Sequence, residues 1–287
     1  MGKLSAFVLI SLGRIPFPAL YALSDLLAFL IFRVFGYRKD IIRKNLKNSF
    51  PKLTESQYEA IERASAKNFC DVMLENLKLL TLSKNSLRKR MHLVNPELLK
   101  GLNKNQQGIV LITAHYNNWE WMGLSLSTHT HQNINGVYKP LSNKSIDALM
   151  LKSRARFGTQ LSPMQSFAKK VLSPTGRKSI NIMLADQSPH KDKVDFFCNF
   201  LNQDTPVFLG PEKLMKAGQM KLYFMEVHRL KRGYYEMKIV PLVDADAEPE
   251  KKGSATLAHV KHLEQIIQAN PESWLWSHRR WKNSQKK

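Results

Sequence analysis

Short apolar segments that alternate with helical patterns constrain the fold of this chain more than any other feature. The apolar segments are rich in β-branched and aromatic residues, whereas the segments between them carry apolar residues at helical spacing. The predicted strands are Gly108–Thr113, Ile134–Tyr138, Ser179–Ala185, Lys221–His228 and Tyr234–Leu242. The predicted helices are Trp119–Ser127, Lys144–Phe157, Gln165–Leu172, Pro211–Ala217 and Ala255–Ala269. This alternation predicts an α/β fold with a mixed sheet flanked by helices.

The N-terminal region is the most apolar part of the chain. Residues 15–32 are almost continuously apolar, interrupted by two prolines, Ser24 and Asp25. The basic residues that follow are Arg33, Arg38, Lys39, Arg43, Lys44 and Lys47. We predict a membrane-anchoring helix over residues 1–35 and one main domain over residues 36–287. A spanning helix, an interfacial helix and a buried core helix all fit this pattern, and the basic residues would place the domain on the cytoplasmic side of a spanning helix.

The charge of the chain indicates its partners. There are 44 Lys and Arg residues against 23 Asp and Glu residues, which gives a net charge of +21. Such a charge favours nucleic acid, an anionic membrane or an acidic protein as partner. No nucleic-acid-binding motif is recognisable, so we expect no nucleic acid. The two cysteines, Cys70 and Cys198, suit a reducing compartment.

The strand Gly108–Thr113 leads to His115, and a carboxylate, Glu120, follows five residues later. Positions five apart in one helix diverge by roughly 140°, so the two side chains would not share a helix face. They can meet if His115 lies in a turn and Glu120 lies in the first turn of a helix capped by Asn117 or Asn118. Glu120 would then orient the imidazole and leave its second nitrogen free as a general base. The alternative is a strand-end histidine and a solvated carboxylate.

Four further residues are candidates for ligand binding. Asp186 and Gln187 end an apolar strand, where α/β proteins present ligand groups, although they can equally form a turn. Lys139 follows the second predicted strand, and Arg154 lies on the helix beyond it. Either cation can hold a phosphate group or remain solvated.

Metal and covalent chemistry have weak candidates in the sequence. His129 and His131 lie two residues apart but have no acidic or thiol partner nearby, so we expect no metal site. No Gly-x-Ser-x-Gly or phosphate-binding glycine motif occurs, and both cysteines lie in apolar surroundings. We therefore expect neither a covalent intermediate on the protein nor a cofactor.

The C-terminal segment alternates aromatic and basic residues. Its members are Trp274, Trp276, His278, Arg279, Arg280, Trp281 and Lys282. Such a segment can lie at a bilayer surface, with rings at headgroup depth and cations on phosphates. It can equally close the core.

Five segments of the chain resemble the bacterial lipid A late acyltransferases. Residues 115–120, His-Tyr-Asn-Asn-Trp-Glu, are similar to the His-x-x-x-x-Glu signature of that family, usually His-Phe-Gly-Asn-Trp-Glu. The other segments, in the same order as in the family, are 37–51, 137–140, 185–187 and 271–282. Asn117 replaces the usual glycine, and Lys139 replaces the usual arginine.

The resemblance implies a glycerolipid acyltransferase-like fold and a specific reaction. A fatty acyl chain would pass from an acyl carrier protein thioester to a hydroxyl of a lipid A precursor, at the cytoplasmic face of the cell inner membrane. His115 and Glu120 would be catalytic. The residues expected to contact substrate are Asn118, Lys139, Arg154, Asp186 and Gln187. Two alternatives remain: an acyltransferase acting on another glycolipid or on a polyene head group, and a non-catalytic lipid-binding protein at the membrane surface.

Overall fold

The computed structural model describes residues 2–105, 108–194, 196–243 and 252–284. Its strands are β1 Met91–Leu93, β2 Ile109–Thr113, β3 Ile134–Tyr138, β4 Gln160–Pro163, β5 Ile180–Leu184, β6 Phe196–Phe200, β7 Gln203–Val207, β8 Lys221–Lys231 and β9 Tyr234–Val243. Seven of them form one sheet in the order β1-β9-β8-β2-β5-β3-β4. Neighbouring strands in this sheet are parallel, except that β8 and β9 are antiparallel. Strands β6 and β7 form a separate antiparallel hairpin.

Helices cover both faces of the sheet. They are α1 Gly2–Arg14, α2 Phe17–Ala28, α3 Lys39–Ser49, α4 Glu55–Glu75, α5 Lys84–Arg90, α6 Pro96–Asn105, α7 Trp119–Leu126, α8 Lys144–Arg154, α9 Met164–Val171, α10 Gly210–Gly218 and α11 Ser254–Ala269. Alternate residues of β2 point to opposite faces, so Val110 and Ile112 pack in one apolar cluster with residues of α3, α9, α10 and α11. Ile109 and Leu111 pack in the other cluster, with residues of α5, α6 and α7. The predicted α/β fold with a mixed, helix-flanked sheet is confirmed.

The five predicted strands correspond to β2, β3, β5, β8 and β9, and the five predicted helices correspond to α7 through α11. The short strands β1 and β4 and the β6–β7 hairpin were not predicted. In the hairpin, Leu201 and Asn202 both have positive φ, 51° and 62°. Two such residues suit a tight turn, but Leu-Asn lacks the Asn-Gly or Asp-Gly signature that would reveal the turn in a sequence.

The N-terminal apolar segment forms α2, which continues as a π-helical turn over Phe29–Val34. Among the described helices, the stretch Phe17–Val34 is long and apolar enough to cross a membrane, with a mean hydropathy of 1.7. Its inner side carries polar contacts to α4: the Tyr21 hydroxyl donates to Glu75 at 2.8 Å, and the Ser24 hydroxyl donates to Asp71 at 2.6 Å. The helix is therefore attached to the main body by specific hydrogen bonds, while most of its apolar surface stays outside the core.

Candidate active site

The candidate site lies at the carboxyl-terminal edge of the sheet, where β2 and β5 are neighbours. The parallel register pairs Thr113 with Leu184. His115 and Asp186 each follow the paired position by two residues, so both side chains emerge at the same level beyond the sheet. Open α/β sheets bind ligands at this edge. The register thus joins a histidine and a carboxylate that are 71 residues apart in sequence.

Asp186 holds the His115 imidazole. Its Oδ1 lies 2.8 Å from His115 Nδ1, and its Oδ2 accepts a 3.0 Å hydrogen bond from the main-chain N–H of the same residue. The indole N–H of Trp274 donates another 3.0 Å hydrogen bond to Oδ2. Burial acts to raise the pKa of Asp186, but the charge of His115 and these hydrogen bonds lower it to about 2. Asp186 is therefore ionised at neutral pH.

The same contacts set the state of His115. Burial acts to lower the pKa of His115, but the Asp186 carboxylate outweighs burial and raises the pKa above its ordinary value of 6.5. In the neutral ring the proton stays on Nδ1, facing Asp186, so Nε2 is a hydrogen-bond acceptor. The Gln187 amide nitrogen lies 3.2 Å from Nε2 and donates to it in this state. Trp119 packs against the ring, with centroids 5.0 Å apart.

The loop after His115 has a left-handed residue at its centre. Asn117 has φ 49°, a conformation that asparagine and glycine tolerate better than other residues. This explains how asparagine takes the place of the glycine in the resembling signature. The Asn117 main-chain N–H donates to Ser273 O at 2.9 Å, and His115 O accepts from the Leu275 N–H at 3.1 Å. The C-terminal segment therefore holds the loop by its backbone.

Asn118, one of the two residues that the sequence offered as the cap, caps α7. Its Oδ1 accepts a 2.9 Å hydrogen bond from the Trp121 main-chain N–H, and its Nδ2 donates to Glu75 at 2.6 Å. The side chain is fully buried. Both polar groups of Asn118 therefore have partners within the protein, and its contact with substrate stays a prediction.

Glu120 lies in the first turn of α7, as expected, but its partner differs from the expected one. Its carboxylate forms a bidentate pair with Arg154, with Oε1 2.5 Å from Nη2 and Oε2 2.8 Å from Nε. Within the described part of the chain, the carboxylate that reaches the His115 ring is Asp186 and not Glu120. This corrects the expectation that Glu120 orients His115. The physical reason is that the planar guanidinium of Arg154 matches both oxygens of Glu120, while the strand register gives Nδ1 a nearer carboxylate.

Lys139 lies at the same edge of the sheet. Strand β3 pairs with β5 so that Gly136 is opposite Ile182, which brings Lys139 level with Ala185. The lysine is exposed. Sheet order therefore places an exposed cation one strand beyond Asp186, on the side away from β2.

The C-terminal aromatic segment closes the core rather than facing outward. Trp274 and Trp276 are 3% and 1% exposed, and their rings pack edge to face. Two residues of the N-terminal motif hold the segment: the Arg38 guanidinium donates to Ser277 O at 2.8 Å, and the Asn45 amide donates to Trp276 O at 2.9 Å. The first and last resembling segments of the chain are thus parts of one structural unit.

Trp274 was not predicted as a site residue. Its contact with Asp186 depends on how the segment after α11 passes beneath the sheet edge, which no local pattern encodes. The sequence indicated Trp274 only through its place in segment 271–282, which resembles the family but suggested no role for this residue.

Neither cysteine is a suitable nucleophile. Burial raises the pKa of the Cys70 thiol and of the Cys198 thiol to about 11 in each case. Almost no thiolate is then present at neutral pH.

Comparison with known proteins identifies the class to which this fold and site belong. Residues 3–283 match the family described as bacterial lipid A biosynthesis acyltransferase, and the chain belongs to that family. The predicted resemblance is therefore confirmed, and the family makes the protein an acyltransferase.

Individual relatives are distant but cover almost the whole chain. A lipid A biosynthesis acyltransferase of Haemophilus influenzae is 24% identical over 277 residues, covering 95% of this chain and 85% of the relative. The lipid A biosynthesis lauroyltransferase of Escherichia coli is 23% identical, and the palmitoleoyltransferase of the same organism is 19% identical. Each of these two alignments covers 94% of this chain and 87% of the relative.

Proposed function

We propose that this protein transfers a fatty acyl chain from an acyl carrier protein thioester to a hydroxyl of a lipid A precursor. The observation that carries the proposal is the pairing of His115 with Asp186 at the sheet edge of a chain that belongs to this family. The imidazole has its proton fixed on Nδ1 and a lone pair on Nε2. This is the state that a general base needs.

The proposed reaction begins with the acceptor hydroxyl in the place that the Gln187 amide takes at Nε2. The hydroxyl oxygen attacks the thioester carbonyl carbon as its proton passes to Nε2. Asp186 stabilises the imidazolium that results. The tetrahedral intermediate then collapses: the carbon–sulfur bond breaks, and His115 returns the proton to the leaving thiolate. The products are an ester and a free thiol, and His115 is neutral again.

We assign the Glu120–Arg154 pair a supporting electrostatic role. Glu120 fixes the guanidinium of Arg154 in a bidentate geometry, and the remaining N–H groups can face a substrate oxygen or phosphate. Lys139, whose side chain is exposed, is a second cation for the same purpose. The pairing with Arg154 gives Glu120 a purpose, although the His115 ring takes its own carboxylate partner from Asp186.

Surface properties support the membrane and the carrier protein as proposed partners. Leu26, Phe29, Val34 and Phe35 are each more than half exposed, next to the basic segment that starts at Arg33. Exposed apolar residues beside cations suit the surface of an anionic bilayer. A net charge of +21 also suits an acidic carrier protein. We place the protein at the cytoplasmic face of the inner membrane, where carrier-bound acyl chains are available.

The decisive experiment is reconstitution. Purified protein in mixed micelles receives acyl carrier protein loaded with one acyl chain and a purified lipid A precursor, and mass spectrometry follows the precursor. We expect a mass increase equal to one acyl group, and none with His115→Ala. A wild-type protein that acylates another glycolipid but leaves the precursor unchanged would overturn the acceptor assignment. A protein that binds both substrates without turnover would overturn the enzymatic proposal.

A further inference from the structure

The large apolar side chains that the main domain exposes are concentrated at one edge of the sheet. Beyond residue 37, the described part of the chain exposes five of them: Val94, Leu141, Ile146, Met164 and Leu230. Single exposed apolar residues are ordinary on a protein surface, whereas a group of them in one place marks an interaction surface. The last four form such a group, and we call them the edge patch.

The sheet topology puts the four residues of the edge patch at the same edge. Leu141 and Met164 follow the carboxyl ends of β3 and β4, which are parallel neighbours. The Leu141 main-chain N–H donates to Asp147 Oδ1 at 2.8 Å, which holds the loop against the first turn of α8, where Ile146 lies. Leu230 lies near the carboxyl end of β8, which is parallel to β2. This is the edge that carries the candidate active site.

The edge patch lies on both sides of the candidate site. The strand order β8-β2-β5-β3-β4 puts Leu230 on one side of His115, and it puts Leu141 and Met164 on the other. Neighbouring strands are about 4.8 Å apart, so β8 and β4 are separated by roughly 19 Å. A surface that contacts the whole edge patch therefore also spans the opening between its two parts, where the His115 imidazole lies.

Val94 provides the contrast. It follows β1, which is parallel to β9, and β9 is antiparallel to β8. Strand β1 therefore points the opposite way from β2, and Val94 lies at the opposite edge of the sheet. Its side chain is 47% exposed, the same fraction as that of Leu141. The two residues differ in position and not in exposure, which makes Val94 the natural control.

Exposed lysines accompany the edge patch. Lys139 and Lys144 flank the loop between β3 and α8, and Lys231 is the last residue of β8. Apolar side chains beside lysines suit the surface of an anionic bilayer, because the apolar groups enter the boundary between headgroups and acyl chains while the cations contact lipid phosphates. An acidic protein would match the lysines as well, so charge alone does not choose between these two partners.

The attachment of the N-terminal helices favours the bilayer. Arg232, in the turn after β8, donates to the two carboxylate oxygens of Asp25 in α2 at 2.8 and 2.9 Å. Helix α1 packs against α8, the helix that follows β3. The apolar N-terminal region is thus joined to the elements that carry both parts of the edge patch. A lipid surface is wide enough to contact α2 and both parts at once.

We propose that the edge patch is a second membrane contact, which lies on an anionic bilayer and turns the carboxyl edge of the sheet toward the lipid. The inference rests on the proposed function in taking a lipid surface as the partner, and it goes beyond that function in assigning bilayer contact to the main domain. The opening beside His115 then faces the bilayer. An acceptor lipid can present a hydroxyl to Nε2 while its acyl chains stay in the membrane.

Fluorescence quenching by spin-labelled lipids tests the contact in the full chain. Leu141→Cys, Met164→Cys and Leu230→Cys are each labelled with a polarity-sensitive maleimide, and Val94→Cys is the matched control. Burial raises the pKa of both native thiols to about 11, so the introduced cysteine reacts selectively at neutral pH. The vesicles contain phosphatidylethanolamine and phosphatidylglycerol, with a nitroxide near the headgroup end of some acyl chains. We expect quenching of about twofold or more at the three patch positions and none in Val94→Cys.

Two further conditions identify the partner. Vesicles of phosphatidylcholine alone should quench the three patch labels less, because the lysines then have no anionic lipid to contact. Acyl carrier protein added without vesicles should leave the emission of the labels unchanged. Emission that responds to the carrier protein and not to vesicles would overturn the inference and make the edge patch a docking surface for an acidic protein.

His115→Ala separates the inference from the proposed reaction. This variant with the same labels should be quenched as strongly as the parent protein, because bilayer contact does not require turnover. Quenching without acyl transfer by the wild-type protein would contradict the proposed function and leave the membrane contact standing. Acyl transfer without quenching would do the reverse.

Three other results would also contradict the inference. The label in Val94→Cys could be quenched as strongly as the label in Leu141→Cys, which would mean that no particular edge faces the bilayer. Quenching could occur on one side of His115 only. Equal quenching by neutral and anionic vesicles would contradict the assignment to an anionic surface.

Discussion

Two carboxylates flank the candidate site, and they are built in opposite ways. Asp186 extends from the end of a buried strand, is fully enclosed and receives hydrogen bonds from His115 and Trp274. Glu120 extends from the first turn of a helix, is partly exposed and faces one guanidinium, that of Arg154. The first carboxylate contacts the histidine that we propose as the general base, and the second contacts a cation.

The difference shows that strand register, rather than distance in sequence, selects the partner of His115. Five residues separate His115 from Glu120, but a turn and a helix start lie between them. Asp186 is far away in the chain and yet level with His115, since β2 and β5 pair residue for residue. Substituting Asp186 and Glu120 in turn therefore tests which carboxylate controls the protonation of His115.

The largest effect is expected for His115→Ala. Removing a positioned general base lowers the rate by roughly 10²–10⁴-fold. The assay is acyl transfer by purified protein, with thermal unfolding as a check on folding. His131→Ala, at an exposed histidine in a distant loop, is the control and should keep full activity. Near-normal transfer by His115→Ala would remove the basis of the mechanism.

Asp186→Asn should have the next largest effect, roughly 10²-fold or more, because an amide no longer fixes the proton on Nδ1. It should also change the pH dependence. The base works as neutral imidazole, so activity rises as the pH passes through the His115 pKa, which Asp186 raises. Without the carboxylate this midpoint moves to lower pH. A midpoint that stays in place would mean that Asp186 does not govern the His115 charge.

Glu120→Gln should lower activity by about tenfold, since Arg154 loses its charge-assisted partner. The pH midpoint should move less than in Asp186→Asn, because Glu120 is the weakest of the influences that raise the His115 pKa. Arg154→Lys, which keeps the charge but not the fork geometry, should resemble Glu120→Gln. If Glu120→Gln shifts the midpoint more than Asp186→Asn does, the roles of the two acids are reversed.

Trp274→Phe keeps one six-membered aromatic ring and removes the five-membered ring with its N–H. Activity should fall by a few-fold, and the free energy of unfolding should fall by about 1.5–3 kcal/mol, the usual worth of a hydrogen bond to a charged group. The matched control is Trp276→Phe, whose N–H donates to Pro271 O and not to Asp186.

The pH dependence of stability distinguishes the two tryptophan variants. The depressed pKa of Asp186 contributes stability above its unfolded-state value near 3.8, and this is lost as the pH falls toward about 2. Trp274→Phe should reduce this contribution, whereas Trp276→Phe should lower stability by a similar amount at every pH. Chemical denaturation between pH 2 and 5 measures both. Parallel curves for the two variants would contradict the Asp186 contact.

The smallest effect is expected for Cys70→Ala and Cys198→Ala, which should retain activity because both thiols stay protonated. Intact-mass analysis of protein mixed with donor alone should find no acyl adduct. A trapped acyl-enzyme that passes its chain to acceptor would replace direct transfer with a covalent mechanism.

Local patterns predicted most of the regular structure because apolar periodicity is a local property. The strands that form the centre of the sheet and the helices from α7 onward were all predicted, and of the two predicted caps, Asn117 and Asn118, the second caps α7. The β6–β7 turn was missed because Leu201 adopts a backbone conformation that leucine seldom takes.

The site residues were predicted individually, but their pairing was not. His115, Glu120, Arg154 and Asp186 were all candidates from the sequence. Their partners depend on which strands are neighbours and on where α8 ends, and neither can be read from one sequence. The role of Trp274 depends in the same way on its contact with Asp186, which is 88 residues away in the sequence.

The hydrogen bonds between the His115 loop and segment 273–275 can form only late in synthesis of the chain. Ribosomes make this segment after the nine strands that the structure describes. A growing chain can therefore pair its sheet before the backbone of His115 and the carboxylate of Asp186 have their last partners. The nascent protein would thus have a formed scaffold while the surroundings of His115 are still incomplete. Acyl transfer would begin only when translation has supplied Trp274.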